Sequence, residues 1–130
     1  MATVFSKIIN GELPGTFVYR DEVCVVFLSI EPITPGHLLV VPVEEYENYW
    51  DAPAAVWTHM NEVAQAMSRA LLTAYPQAKR VGLMVAGFDV PHLHIHLVAL
   101  EEQGQLSFAG ARPATPQQLA TEAEKIRAVL

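Results

Sequence analysis

The chain has 130 residues, 52% of them hydrophobic, and its formal net charge is −6. This length suits a single compact domain over residues 1–130. The acidic balance argues against binding to nucleic acid, and no apolar run reaches the roughly 18 residues of a membrane span. We expect a cytoplasmic protein, because Cys24 is the only cysteine, which excludes an intrachain disulfide, and because the N-terminus resembles no signal peptide.

The first half of the chain alternates short apolar segments with turns. Residues 4–10 predict one or two helical turns, and three segments predict strands: 16–20, 23–30 and 37–43. The second strand is nearly unbroken in apolar residues, as in strands buried on both faces, and Cys24 within it is expected to be a small buried hydrophobe. The segment 31–36 contains two prolines and a glycine and is predicted to be a loop.

A long helix is predicted next. Asp51 is a suitable N-cap with Pro53 in the first turn, and the helix should end near Tyr75. The apolar residues of this segment recur on one helical face: Val56, Trp57, Met60, Val63, Ala64, Met67, Leu71 and Ala74. His59 lies beside this face and is expected to be an ordinary boundary or surface residue.

The second half of the chain predicts two more strands, over 80–87 and 92–100, followed by an irregular crossing segment over 101–114. Thr115 then resembles a helix cap with Pro116 at the first helical position. The apolar residues of this final amphipathic helix are Leu119, Ala123, Ile126 and Leu130. The sequence therefore predicts five strands, one long helix and a C-terminal helix.

Three of the five histidines lie at alternate positions of one predicted strand: His92, His94 and His96. Successive side chains of a strand point to opposite faces. The apolar residues between and after them are therefore expected to face the core: Leu93, Ile95 and Leu97. Residues two apart are separated by roughly 6.6 Å, so the histidines form a row of ring nitrogens on a stiff element, which suits a functional site.

The residues alone leave three interpretations of this row open. It is a solvated strand face that carries histidine by chance, or a metal site with His37 and Asp89 as further ligands, or a site for phosphate chemistry. Neutral imidazole is a good nucleophile and imidazolium is a good partner for phosphate. With an unperturbed pKa near 6.5, each ring is roughly three-quarters neutral at pH 7, so the row can supply both forms.

The stretch "HLHIHLV" resembles the H-x-H-x-H-x-x signature of the histidine triad (HIT) family of nucleotide hydrolases and transferases. The resemblance extends through residues 5–42 and through "VAGFDVPH" at 85–92. It covers about residues 4–100, leaves 101–130 as a C-terminal extension, and is strongest to the small histidine-triad nucleotide-binding (HINT-like) branch. It implies an α+β HIT-like fold: an antiparallel sheet of about five strands with one long helix packed on it, in a homodimer.

The resemblance also implies a mechanism. The middle histidine, His94, attacks the α-phosphorus of a purine nucleoside phosphoramidate or related phosphoester, and water later cleaves the nucleotidyl-histidine. His96 contacts the phosphate oxygens, His92 orients its neighbours, and His37 from "PGH" extends the network. No cofactor and no metal are implied for this reaction.

The same resemblance implies a nucleotide-binding surface. The backbone N–H of Val90 donates to the phosphate, and four apolar residues lie in segments that form the base and ribose pocket: Phe5, Ile8, Phe27 and Ile30. Each of the four is equally explained by packing in the core.

The chain departs from the family pattern at three positions of the site. Ser29 stands where an aspartate usually binds ribose hydroxyls, although Glu31 can substitute if the loop bends. Phe88 replaces a glutamine, and Asp89 replaces a hydroxyl that can donate. An ionised Asp89 beside a phosphate would repel it, because two unit charges 4 Å apart interact by about 4 kcal/mol at an effective dielectric of ~20. Asp89 is therefore expected to pair with a histidine and raise its pKa, or to serve as a turn residue.

Some branches of the family bind structural zinc through two N-terminal cysteines and further histidines. Thr3, Ser6 and Tyr46 stand at the corresponding positions, so the resemblance does not imply a zinc site here. Two alternatives to the hydrolase remain: a nucleotide-binding protein with little turnover, and a metal-dependent enzyme that uses the same histidines.

Overall fold

A computed structural model describes residues 2–130. Five antiparallel strands form one sheet in the order β1-β2-β3-β5-β4. The strands are β1 (Phe17–Arg20), β2 (Cys24–Leu28), β3 (Leu38–Pro42), β4 (Arg80–Met84) and β5 (Ile95–Leu100), and the helices are α1 (Val4–Ile9), α2 (Ala54–Ala74) and α3 (Pro116–Arg127). This architecture confirms the predicted α+β fold. No helix within the described part of the chain has the length and apolar character needed to cross a membrane.

The main core lies between α2 and one face of the sheet. The three central strands β2, β3 and β5 are buried along their whole length, because helices or loops cover both faces. The predicted apolar face of α2 supplies the facing side chains: Met60, Val63, Ala64, Met67 and Leu71. Cys24 is completely buried in this core, as expected for a small hydrophobe.

The start of α2 differs from the prediction. Asp51 is not the N-cap of this helix, which begins at Ala54 after Pro53. Asp51 instead ends a short 3-10 turn, where its carboxylate accepts a hydrogen bond from the Asn48 N–H at 3.1 Å. The residue before a proline is disfavoured in the helical region, and Ala52 is extended with ψ 144°. The helix therefore cannot run back through this point.

The C-terminal helix α3 begins as predicted. The Thr115 hydroxyl accepts from the Gln118 N–H, the Gln118 side chain accepts from the Thr115 N–H, and Pro116 occupies the first turn. Three of the four predicted apolar residues are buried: Leu119, Ala123 and Ile126. The prediction for Leu130 was wrong, since the helix ends at Arg127 and Leu130 is exposed beyond it.

Strand β5 is three residues shorter than predicted and begins at Ile95. It pairs with β3 from Leu38↔Leu97 to Val40↔Ile95, a register that would place Leu93 opposite Pro42 two residues further on. Proline has no N–H for the ladder, so the pairing ends before this point. The alternation survives, because Leu93, Ile95 and Leu97 all lie in the core, as predicted.

A substitution at Gly36 should disturb the connection that leads into β3. Gly11 and Gly36 both have φ +84°, but a methyl group would meet the Tyr75 ring at 2.5 Å at Gly36 and nothing within 4 Å at Gly11. The left-handed conformation costs a non-glycine residue about 1–2 kcal/mol, and overpacking adds about 1–3 kcal/mol. We expect Gly36→Ala to lower the free energy of unfolding in urea clearly more than Gly11→Ala. Equal losses in the two variants would contradict the contact with Tyr75.

Candidate active site

Four histidines lie together on the sheet face opposite α2. His96 is in β5, His37 immediately precedes β3, and His92 and His94 precede β5. All four are buried, with exposed fractions from 0% to 8%. The interpretation of the row as a solvated surface is therefore wrong. Buried polar groups need hydrogen-bond partners, and the partners of these rings determine which nitrogen of each ring carries the proton.

Both ring nitrogens of His92 are engaged. Its Nε2 lies 2.8 Å from the carbonyl oxygen of Pro42, and since a carbonyl only accepts, the proton is on Nε2. The Nδ1 therefore accepts from the hydroxyl of Thr3 at 2.6 Å. The main-chain N–H of the next residue, Leu93, donates to the carbonyl of Tyr46 at 2.7 Å. His92 and its neighbour thus anchor the start of the histidine segment and leave no nitrogen of His92 free for chemistry.

His94 presents an unprotonated nitrogen. Its Nδ1 lies 2.7 Å from the carbonyl oxygen of His92, so Nδ1 carries the proton and Nε2 carries the lone pair. Within residues 2–130, no side-chain nitrogen is both buried and without a hydrogen-bond partner. The Nε2 of His94 has no such partner and must therefore reach solvent. The rings of Phe5 and His96 stand edge-on to it, with centroids at 4.9 and 4.7 Å, and hold its orientation.

His96 presents a donor. The main-chain N–H of Ile33 donates to Nδ1 of His37 at 3.0 Å, which leaves the proton of His37 on Nε2. That Nε2–H donates to Nδ1 of His96 at 2.9 Å, and the proton of His96 is consequently on its own Nε2. The site therefore presents a lone pair on His94 and an N–H on His96, on rings whose centroids are 4.7 Å apart.

Burial keeps these rings neutral. It lowers the pKa of all four histidines below the ordinary value of 6.5, and the neighbouring His94 lowers the pKa of His37 and His96 further. Burial therefore favours neutral imidazole over the imidazolium that the sequence also allows. The donor that the rings offer to an anion is the Nε2–H of His96.

Asp89 does not pair with a histidine, contrary to the prediction. It is exposed, and within the described residues it makes no ion pair with the triad. Its charge acts to raise the pKa of His94, but burial outweighs it and the net shift is downward. The adjacent Phe88 is also at the surface, with 95% of its area exposed. Water screens Asp89 because its carboxylate remains in the solvent.

Helix α1 is tied to the triad by a hydrogen-bonded cluster that the sequence did not predict. Thr3 caps this helix and bonds His92, and the main-chain N–H of Thr3 donates to the Glu45 carboxylate at 2.9 Å. The Ser6 hydroxyl donates to the same carboxylate oxygen at 2.5 Å. The bonds from Ser6 and Thr3 lower the pKa of Glu45. Neutral hydroxyls already engaged in this way do not fit a structural zinc site, which uses thiolate and imidazole ligands.

Three of the four predicted apolar pocket residues lie in one apolar cluster. Phe5 packs edge-on against Phe27 at 5.5 Å, and Ile8 and Val90 lie in the same apolar cluster. Ile30 follows β2 in the next loop and is 69% exposed. The hydroxyl of Ser29 accepts from the N–H of Glu31 at 3.2 Å within the loop.

The histidine site has little capacity for a metal. Hydrogen bonds engage both nitrogens of His37 and of His92 and the Nδ1 of His94 and of His96, which leaves two nitrogens for a ligand. Among residues 2–130, one group of side chains is close enough to share an ion: Asp21, Cys24 and His59. It lies on the α2 side of the sheet. Burial raises the pKa of Cys24 to about 12, so its thiol stays protonated and is a poor ligand.

An antiparallel five-stranded sheet with a long helix on one face and three alternating histidines on the other defines a histidine-triad protein. The sequence pattern of the HIT domain matches residues 10–103, and the chain belongs to the HIT family. It is 34% identical to an uncharacterized HIT-like protein of Methanocaldococcus jannaschii, over 73% of this chain and 76% of that protein. It is 31% identical to a purine nucleoside phosphoramidase of Escherichia coli, over 74% of this chain and 85% of that enzyme.

A solved structure shows the same fold. The crystal structure of a HIT-like protein from Bartonella henselae, described as involved in cell-cycle regulation and solved with an unknown ligand, superposes with a TM-score of 0.86 at 30% identity. The match covers 98% of this chain and 96% of that one. The resemblance found in the motifs therefore extends across the fold, including the segment beyond residue 100.

The neutral buried histidines make stability depend on pH. Their folded-state pKa values lie below 6.5, so the unfolded chain takes up protons first as the pH falls. The contribution of these neutral rings to the free energy of unfolding is fully present above pH 6.5. It is lost at lower pH, by up to about 1.4 kcal/mol per pH unit for each ring. We expect the free energy of unfolding in urea to fall between pH 7 and pH 5, with a shallower slope in His37→Asn.

This interval lies above the ordinary pKa of Asp21, 3.8, which keeps the contribution of that carboxylate out of the comparison. A free energy of unfolding that rises from pH 7 to pH 5 would contradict the burial of neutral rings.

Proposed function

We propose that this protein is a hydrolase or nucleotidyl transferase that acts on purine nucleoside phosphoramidates or related nucleoside phosphoesters through a nucleotidyl intermediate on His94. The observation that carries the proposal is the pair of free ring nitrogens. The Nε2 of His94 has a lone pair because its Nδ1–H is held by the His92 carbonyl at 2.7 Å. The adjacent His96 offers an N–H because its Nδ1 accepts from His37 at 2.9 Å.

In the first step, the lone pair of His94 forms a bond to the α-phosphorus. The bond from phosphorus to the leaving nitrogen or oxygen breaks, and its electron pair departs with that atom. The Nε2–H of His96 donates to a phosphoryl oxygen. The positive charge that develops on the His94 ring is stabilised by the His92 carbonyl, whose hydrogen bond to Nδ1–H strengthens as the ring becomes cationic.

In the second step, the oxygen of water attacks the same phosphorus. The bond between phosphorus and Nε2 breaks, its electron pair returns to the ring, and the proton of water passes to solvent. An alcohol or phosphate in place of water would make the reaction a transfer. Splitting one displacement into two is the general advantage of a nucleophilic side chain.

The apolar cluster beside His94 supports a nucleoside as the transferred group. Phe5 contacts the His94 ring and Phe27 contacts Phe5, so a base placed there lies next to the nucleophile. Ile8 borders the cluster, and Ser29 is the polar residue proposed for the ribose. Val90 lies in the same cluster, and its N–H is proposed to donate to the phosphate. The name of the Escherichia coli relative, a purine nucleoside phosphoramidase, agrees with this assignment.

The leaving group takes its proton from water in this scheme. The triad rings are neutral because burial lowers their pKa values, and a neutral imidazole N–H is a very weak acid. The residues at the positions noted as departures, Phe88 and Asp89, are both exposed. Rates should therefore depend steeply on the basicity of the leaving group.

The nucleotidyl intermediate can be tested directly by intact mass spectrometry. Wild-type protein mixed with an adenosine phosphoramidate and quenched without acid should gain the mass of one nucleotidyl group, and His94→Asn should gain none and lose about a thousandfold or more in kcat. His59→Asn is the matched control, because His59 bonds Asp21 on the other side of the sheet and should not affect turnover.

Two results would lead away from the proposal. Tight nucleotide binding without an adduct or turnover would indicate a binding protein. Activity that is lost with a chelator and restored by one metal would indicate a metal-dependent enzyme.

We also propose that two copies of the chain associate through β4. This strand lies at the edge of the sheet and exposes unpaired main-chain groups that a second strand can bond. A groove of about 540 Å³ runs beside it, lined by Leu83 of β4 and by residues of α2 such as Trp57 and Gln65. Leu83 is exposed, which gives the interface an apolar centre.

A charge at Leu83 should separate the two copies. We expect the wild-type chain to sediment as a dimer at micromolar concentration, and Leu83→Asp to sediment as a monomer because the carboxylate cannot be buried unpaired. Leu13→Asp is the control, since Leu13 is also exposed but precedes β1 at the opposite edge. A monomeric wild-type chain would contradict the proposed dimer.

A further inference from the structure

The segment that follows β5 folds back over the triad face of the sheet. We call residues 101–114 the strap. Leu106 packs over Gly82 of β4, where a methyl group would meet the leucine side chain at 2.7 Å. Further along, the N–H groups of Arg112 and Ala114 donate to the carbonyls of Pro32 and Ile30 at 3.2 and 3.0 Å. The strap is therefore held at both ends, against the sheet and against the loop before His37.

Between these anchors the strap places Phe108 against the triad. The ring of Phe108 stands edge-on to His96, with centroids 5.1 Å apart and planes at 72°. The turn that carries it, Phe108–Gly110, is capped by the Ser107 hydroxyl, which accepts from the Ala109 N–H at 3.2 Å. Half of the area of Phe108 remains exposed. One edge of the Phe108 ring packs against His96, and the rest of the ring is exposed and can contact a ligand.

The rings on this face form a row. Phe27, Phe5, His94, His96 and Phe108 follow one another with centroid separations of 5.5, 4.9, 4.7 and 5.1 Å. Phe5 and Phe27 are on the side of His94 that the proposed function assigns to the base. Phe108 is at the other end, beyond the N–H donor of His96. A substrate whose phosphorus lies at His94 and His96 would have its nucleoside towards Phe5 and its other substituent towards Phe108.

The strap is not suited to an anionic leaving group such as a polyphosphate. Arg112 is its only cation, and Nη1 of that residue already donates to the carbonyls of Ala109 and Ala111 at 3.2 and 2.8 Å. Glu101 and Glu102 begin the strap and add negative charge. An uncharged planar group, by contrast, would gain contact with the exposed part of the Phe108 ring.

We propose that Phe108 forms the leaving-group subsite of this enzyme and selects substrates whose leaving group carries an aromatic ring. The proposal rests on the function proposed above and adds a specificity to the same site. Phe108 acts by stacking on the departing group, so its removal should affect aromatic leaving groups and spare aliphatic ones. A contact between aromatic rings is worth about a three- to tenfold change in kcat/KM.

The test uses two adenosine 5′-phosphoramidates, one of 2-phenylethylamine and one of an alkylamine of matched basicity. The wild-type enzyme should favour the aromatic substrate in kcat/KM. Phe108→Ala and Phe108→Leu should lose about three- to tenfold for the aromatic substrate and change little for the other. Phe108→Trp should retain the preference, because it keeps a ring. The leucine variant keeps an apolar side chain against His96, so it separates the loss of the aromatic ring from a loss of packing in the strap.

The outcomes separate this proposal from the function on which it rests. Equal losses with both substrates would mean that Phe108 only positions His96, and unchanged kinetics would mean that it contacts no substrate. Either result overturns the subsite while the nucleotidyl intermediate stands. A wild-type protein that turns over neither substrate and forms no adduct would overturn both proposals.

Discussion

The hydrogen bond from Nδ1–H of His94 to the carbonyl of His92, 2.7 Å long, is the contact on which the proposed chemistry depends. It joins a side chain to the main chain two residues earlier, so the ring cannot turn without losing this hydrogen bond. It puts the lone pair on the nitrogen that reaches solvent. Because burial lowers the pKa of the ring, that lone pair is present throughout the neutral pH range.

A main-chain group also determines the protonation of the second free nitrogen, Nε2 of His96, but it acts through an intervening ring. The N–H of Ile33 selects the tautomer of His37, and His37 selects that of His96. Two buried rings transmit this choice because each has one donor and one acceptor. The relay requires the loop before β3 to lie beside β5, and the antiparallel pairing of these two strands supplies this arrangement.

Two segments outside the sheet border the triad on opposite sides. Helix α1 is tied to His92 through Thr3 and to Glu45 through Ser6, and it carries Phe5 against His94. The strap carries Phe108 against His96. The free nitrogens of His94 and His96 therefore lie between two aromatic side chains, which separate parts of the chain hold in place. This separation allows the proposed nucleoside side and the proposed leaving-group side of the site to differ in chemistry.

The features that depend on local periodicity and local caps could be predicted from the sequence. The alternation of His92, His94 and His96 with buried apolar residues, the apolar face of α2 and the cap at Thr115 all follow from neighbours a few positions apart. Four features became visible only in the folded chain: the tautomers, the end of the β3–β5 ladder before Pro42, the exposure of Asp89 and the contact of Phe108 with His96. These depend on residues brought together by strand order, such as Thr3 with His92, which are separated by 89 positions, and no local pattern encodes such a pairing.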